Sequence, residues 1–179
     1  MKAFLLAIWE VLEVVLVAVV TVFVIRTFLI QPFLVSGASM EPNFSSGNYL
    51  IIDEITYQFR EPKRGEVIVF KYPNNPSTYY IKRVIGLPSE KITIQQGQIL
   101  IYNQEYPDGL VLKEDYLLSG PRTTGNISKK LENTEYFVLG DNRNYSYDSR
   151  SWGPLNKKYI IGIARLRLLP INKAQAFSY

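Results

Sequence analysis

Chemistry in this chain has to be done without histidine and without cysteine, because its 179 residues contain neither. That removes the Ser-His-Asp triad, the imidazole base, thiol nucleophiles, Cys-ligated metal centres and disulfides. The bases that remain are Lys, Asp, Glu and ionised Tyr. Three stretches carry residue types able to use them. The first is Ser36-Gly37-Ala38-Ser39-Met40-Glu41-Pro42. Small residues let a substrate backbone approach closely and leave main-chain N–H groups free to bind an oxyanion. The stretch is not the Gly-x-Ser-x-Gly elbow, since Met-Glu follows the serine. Taken alone, Ser39 reads as a structural turn residue.

The second stretch runs from Tyr79 through Lys82 and Arg83 to Pro88. Alternate residues of a strand share a face, so Lys82 sits between Tyr80 and Val84, and Arg83 goes with Ile81 and Ile85. On a solvated edge Lys82 is an ordinary ammonium. In an apolar cleft, burial turns it into a base: moving its pKa from ~10.4 to ~8 takes about 3 kcal/mol, within reach of desolvation. The third stretch, 140–153, is dense in donors and acceptors, among them Asp141, Arg143, Ser146, Asp148 and Arg150. It reads as a solvated turn cluster or as a buried ion-pair network that keeps a site rigid, and the Asp/Arg alternation suits the second. Arg143 and Arg150 compete with any metal for Asp141 and Asp148, so neither metal nor other cofactor is expected.

These residues need a scaffold. After Gln31-Pro32 the chain turns to short β-branched and aromatic runs separated by Gly, Pro and Asn. Strands are expected over 48–53, 66–71, 79–85, 91–95, 98–102, 135–139 and 159–168. Gln96-Gly97 is a hairpin turn. Residues 112–133 are mostly turn chemistry and read as a mobile excursion. The expected architecture is mainly β, a folded or closed antiparallel sheet over 31–179 with a small insertion around 90–134. No internal repeat is evident.

The N-terminal stretch, 1–30, reads differently. Its uninterrupted apolar centre, 14–25, falls short of the ~20 residues that span a bilayer. Glu10, Glu13 and Arg26 lie near the ends, where charges reach the interface, so a span of about 4–25 is expected. The alternatives are a buried core helix and a cleavable signal peptide, the latter helped by Ser36-Gly37-Ala38. The apolar stretch exceeds a signal peptide's core, which favours a retained anchor in a lipid bilayer. Residues 27–59 contain no Lys or Arg, so the N-terminus is expected in the cytoplasm and the main domain outside. The net charge of +4 comes from dispersed residues with no nucleic-acid-binding motif, and no nucleic-acid partner is expected.

In this combination the chain resembles the type I signal peptidases, membrane-anchored Ser/Lys endopeptidases that remove signal peptides from exported preproteins. The resemblance rests on Ser39-Met40-Glu41-Pro42, on 64–70, on 82–88 and on 140–150, in that order. The single expected span and small insertion look like the Gram-positive or cyanobacterial form. The resemblance implies Ser39 as nucleophile, Lys82 as general base and Ser146 as the residue orienting the lysine. Gly37 occupies an oxyanion position where only a main-chain donor is available. Arg83, Asp141, Asp148 and Arg150 match the supporting ion pairs. Asn43, Glu66 and Ser89-Glu90 depart from the family's usual Thr, Asp and Gly-Asp. A Ser/Lys autopeptidase of the SOS-repressor type shares the dyad, but would carry a DNA-binding region and no anchor. A non-catalytic tethered β-domain leaves Ser39, Lys82 and the 140–153 block without a reason.

Overall fold

The structure is a computed structural model that describes residues 2–28, 30–117 and 123–179, with side chains described for 8–22 and from 32 onward. A run of Leu, Val, Ala and Ile free of Gly and Pro forms helix α1 (Lys2–Phe28), as the propensities of such a run favour. All its described side chains, 8–22, are exposed. Glu10 and Glu13 interrupt that stretch. Among the described residues no helix is long and apolar enough to cross a membrane. The expected span over 4–25 lies partly outside the described side chains.

The rest is strand. In chain order these are β1 (Ile30–Leu34), β2 (Tyr49–Asp53), β3 (Val67–Tyr72), β4 (Asn75–Gly86), β5 (Lys91–Gln95) and β6 (Gln98–Tyr102). Then come β7 (Leu110–Val111), β8 (Ile127–Lys130), β9 (Glu135–Leu139), β10 (Leu155–Asn156), β11 (Ile160–Leu169) and β12 (Gln175–Ala176). Short helices α2 (Thr56–Phe59) and α3 (Ser149–Trp152) sit between strands. Strands β1-β2-β11-β3-β4-β9-β10 form one antiparallel sheet with β12 attached to β11, and β7-β6-β5-β8 form a second. Among the described residues β1 and β10 do not pair, so the main sheet is open, not closed.

Burial on both faces explains why β3 and β9 read as continuous apolar runs. Val67 and Val69 join Met40, Phe44, Leu50 and Ile52 in one core, while Ile68 and Phe70 join Val84, Tyr136, Val138 and Leu155 in another. Phe137 and Leu139 turn to a third core with Ile92, Ile94, Ile99 and Ile101 of the second sheet. Alternation along each strand thus joins the two sheets.

Two expectations need correction. The 112–133 segment is not simply an excursion: Ile127–Lys130 pairs with β5, and Thr123 and Leu131 are buried. Residues 118–122 lie outside the described set. Strand β1 was absent from the expected strands because Pro32 breaks the pattern. As an outer strand, β1 tolerates a proline that has no ladder N–H to give.

Candidate active site

The turn after β1 is shaped from within. Val35 N–H donates to Asn48 O and Gly47 N–H to Val35 O, each at 2.9 Å, which closes the 36–47 loop on itself. Met40 and Phe44 are each 1% exposed and nail the loop to the core. Gly37 has φ +96° with open space around it, a left-handed conformation that glycine adopts without strain. Ser39 is thereby held, half-buried, over β4.

Register on β4 places the lysine. Lys82 pairs with Ile68 of β3 and is 3% exposed. Its Nζ lies 2.7 Å from Ser39 Oγ and 2.9 Å from Ile81 O. Burial pushes the Lys82 pKa down to about 8, although the Asp148 and Asp141 carboxylates oppose the shift. Desolvation of the ammonium wins over attraction to the two anions.

Both carboxylates are engaged. Arg83 grips Asp141 bidentately, Nε to Oδ1 at 2.8 Å and Nη2 to Oδ2 at 2.6 Å, and its Nη1 donates to Gly65 O. Asp148 accepts from Arg150 Nε at 2.8 Å, from Nη2 at 2.9 Å and from the Gly140 N–H at 3.1 Å. Asp148 also caps α3 through the Arg150 N–H. Such charge-assisted pairs are stiff and directional.

Arg143 does not compete for those carboxylates, contrary to expectation. Fully buried, it donates to Gly140 O at 3.0 Å and to Glu114 and Thr123. Ser146 also differs from its expected bonding. Its Oγ is buried and makes no hydrogen bond among the described residues, and the bonds of Lys82 go to Ser39 and Ile81.

Sequence reasoning missed the residues that join the segments. Asn43 Nδ2 bridges Asp141 Oδ2 at 2.8 Å and Tyr116 O at 2.9 Å. Asn142 Nδ2 donates to Ala38 O at 3.0 Å. Asn43 was visible as a departure from the family pattern, and its amide supplies the second N–H that such a bridge requires. Glu114 and Tyr116 carried no local signal.

A cavity of about 330 Å³ opens onto Ser39 and Lys82, walled by Phe33, Val35, Leu50, Tyr79 and Ile81, with Tyr145 and Tyr147 also lining it. Among the described residues the outer edge of β1 and the 79–81 edge of β4 pair with no further strand. Both edges line this cavity. An activated serine, a buried amine and two free strand edges suit acyl transfer on an extended peptide.

The chain is similar in sequence to known proteins. The model of the family "Signal peptidase, peptidase S26" matches residues 8–169. A probable signal peptidase I-2 of Synechocystis sp. is 36% identical over 143 residues, 76% of this chain and 62% of its own length. Signal peptidase I of Leptolyngbya laminosa is 39% identical, over 78% of this chain and 68% of its own. Signal peptidase I V of Bacillus subtilis is 35% identical, over 72% and 80%. The chain belongs to the signal peptidase family, peptidase S26.

Proposed function

We propose that this chain is a serine endopeptidase that removes N-terminal signal peptides from exported preproteins, with Ser39 as nucleophile and Lys82 as general base. The observation that carries the reading is the 2.7 Å contact between the buried amine and Ser39 Oγ at the floor of the cavity. In the reactive form Lys82 is neutral, and its lone pair takes the Ser39 proton as Oγ attacks the peptide carbonyl. The Ser39 N–H, which donates to nothing among the described residues, and a main-chain donor near Gly37 would hold the oxyanion. The Lys82 ammonium then protonates the leaving amine. Water, deprotonated by the regenerated amine, hydrolyses the acyl-enzyme.

Hydrogen-bond counting supports a role for Ser146. A neutral amine has one lone pair and two N–H groups. The lone pair serves Ser39 and one N–H serves Ile81 O, which leaves one N–H for the unpartnered Ser146 hydroxyl beside the site. Arg83–Asp141 and Asp148–Arg150 hold the surrounding loops.

The substrate would enter as an extended strand between the free edges of β1 and β4. The resemblance to the signal peptidases implies small side chains at the first and third positions before the cut, facing the apolar walls of the cavity. Helix α1, whose described side chains 8–22 are exposed and mostly apolar, precedes β1, one wall of the cavity. A mostly apolar helix surface without protein cover over 8–22, with Glu10 and Glu13 able to reach the interface, suits a membrane anchor, with the N-terminus cytoplasmic and the β domain on the outer or lumenal side. The test is incubation of the full chain in detergent with a preprotein, followed by sequencing of the new N-terminus. A cut after a small-x-small site, lost in Ser39→Ala and in Lys82→Ala, is expected. Undiminished cleavage by either folded variant overturns the reading.

A further inference from the structure

The ion pair beside Lys82 is covered by a residue from outside the four sequence blocks that resemble the family. Arg83 and Asp141 are 6% and 2% exposed. The guanidinium carbon of Arg83 lies 4.1 Å from the centre of the Tyr116 ring, close enough for the ring face to hold the cation and keep water off it. The carbonyl oxygen of Tyr116 accepts from Asn43 Nδ2, the amide that also reaches Asp141. Its phenol donates to Glu114 Oε1 at 2.6 Å and accepts from Arg143 Nη2 at 3.2 Å. One residue of the insertion therefore touches β4, the turn that carries Ser39 and the buried arginine of the 140–150 loop.

Resting on the reading of Ser39 and Lys82 as a dyad, we propose that Tyr116 is a positioning residue, holding the Arg83–Asp141 pair and the Ser39 turn in fixed relation without touching substrate. The electrostatic consequence has a sign. Lys82 faces the carboxylates of Asp141 and Asp148, which Arg83 and Arg150 neutralise. The Tyr80 ring lies 5.4 Å from its Nζ, and the Tyr179 phenol feels the same Arg83 and Asp141. Loosening Arg83 exposes more of the Asp141 charge to the lysine, which favours the ammonium.

The experiment compares Tyr116→Leu, which removes the ring, with Tyr116→Phe, which keeps it, in preprotein cleavage by the full chain in detergent. Tyr116→Leu should lower kcat ~10-fold or more, since small misplacements of reacting groups are costly. KM should stay within about twofold, and the rising limb of the pH–rate profile should move to higher pH. Tyr116→Phe should restore most of kcat and the wild-type midpoint. A folded Tyr116→Leu protein with wild-type kcat and midpoint overturns the proposal. If that variant fails to fold, Asn43→Ala decides: the same kcat loss at constant KM supports the bridge, and a wild-type rate overturns it. Ser39→Ala run alongside separates the two levels. Cleavage surviving in Ser39→Ala defeats the dyad reading, whereas an inactive Ser39→Ala beside an unaffected Tyr116→Leu defeats only the positioning role.

Discussion

The main-chain N–H of Asn142 donates to the carbonyl oxygen of Ser39 at 3.0 Å. Because this bond uses backbone on both sides, it ties the position of Ser39 to the path of the 140–150 loop. Side chains in that loop therefore matter through where they put the backbone. The Arg150–Asp148 and Arg143–Gly140 bonds set that path from within the loop.

Gly140→Ala tests this coupling. A Cβ at Gly140 would sit 2.5 Å from Ser146 Cβ and closer still to Ser146 Oγ and Ser39 O. One of these contacts is backbone, so the loop has to shift away from the serine. Displacement of order 1 Å at the nucleophile is expected to lower kcat ~100-fold, with a stability loss of about 1–3 kcal/mol from overpacking. Wild-type kcat together with unchanged melting would show that the loop absorbs the methyl without moving Ser39.

Ser146→Ala is expected to lower kcat strongly with KM nearly unchanged, since in the proposed mechanism Ser146 serves the lysine and not the peptide. Loss of stability should be small. The hydroxyl is buried without a partner, so removing it discards a desolvation penalty and no resident hydrogen bond. A rise in KM at constant kcat would place Ser146 in peptide binding instead.

Arg150→Ala should act on stability first. It leaves Asp148, 0% exposed, as a buried carboxylate retaining only main-chain donors, the N–H groups of Gly140 and of residue 150. Breaking such a pair from one side costs about 3–5 kcal/mol. Thermal melting is the measurement, and an Arg150→Ala protein that melts with the wild type would mean that solvent or a neighbouring donor replaces the guanidinium.

What could be foreseen depended on the range of the interaction. Alternation on 79–85 put Lys82 and Arg83 on opposite faces, and the Gln96-Gly97 turn closes β5 onto β6 with Gln95 opposite Gln98. Both are local consequences of strand geometry and turn chemistry. Strand β4 begins at Asn75, four residues before the expected start, because its hairpin with β3 places Tyr72 opposite Asn75. The partners of Arg143 were out of reach, since Glu114 and Thr123 are 29 and 20 residues away and strand patterning carries no register across an insertion. Phe44 illustrates the same limit. It packs against Phe177, far along the chain, with ring centres 4.7 Å apart.

In the proposed mechanism the ionisation of Lys82 governs both rate and stability, in the same direction of pH. With its pKa brought down to about 8 by burial, the free-base fraction and hence kcat/KM should rise through about pH 8 and level off above it. For stability, the unfolded chain holds the proton up to an ordinary lysine pKa near 10.4, whereas the folded chain releases it near 8. The folded state therefore carries a penalty that is fully present below pH 8 and fades as pH rises toward 10.4. The gap corresponds to about 3 kcal/mol. Lys82→Met has no such penalty, so its stability relative to wild type should be greatest at neutral pH and shrink by up to about 3 kcal/mol by pH 10. Paired denaturant titrations across that range cancel every other titrating group common to both proteins. A difference that stays constant from pH 7 to pH 10 would mean that the lysine titrates normally, and the same result would remove the neutral amine on which the proposed chemistry depends.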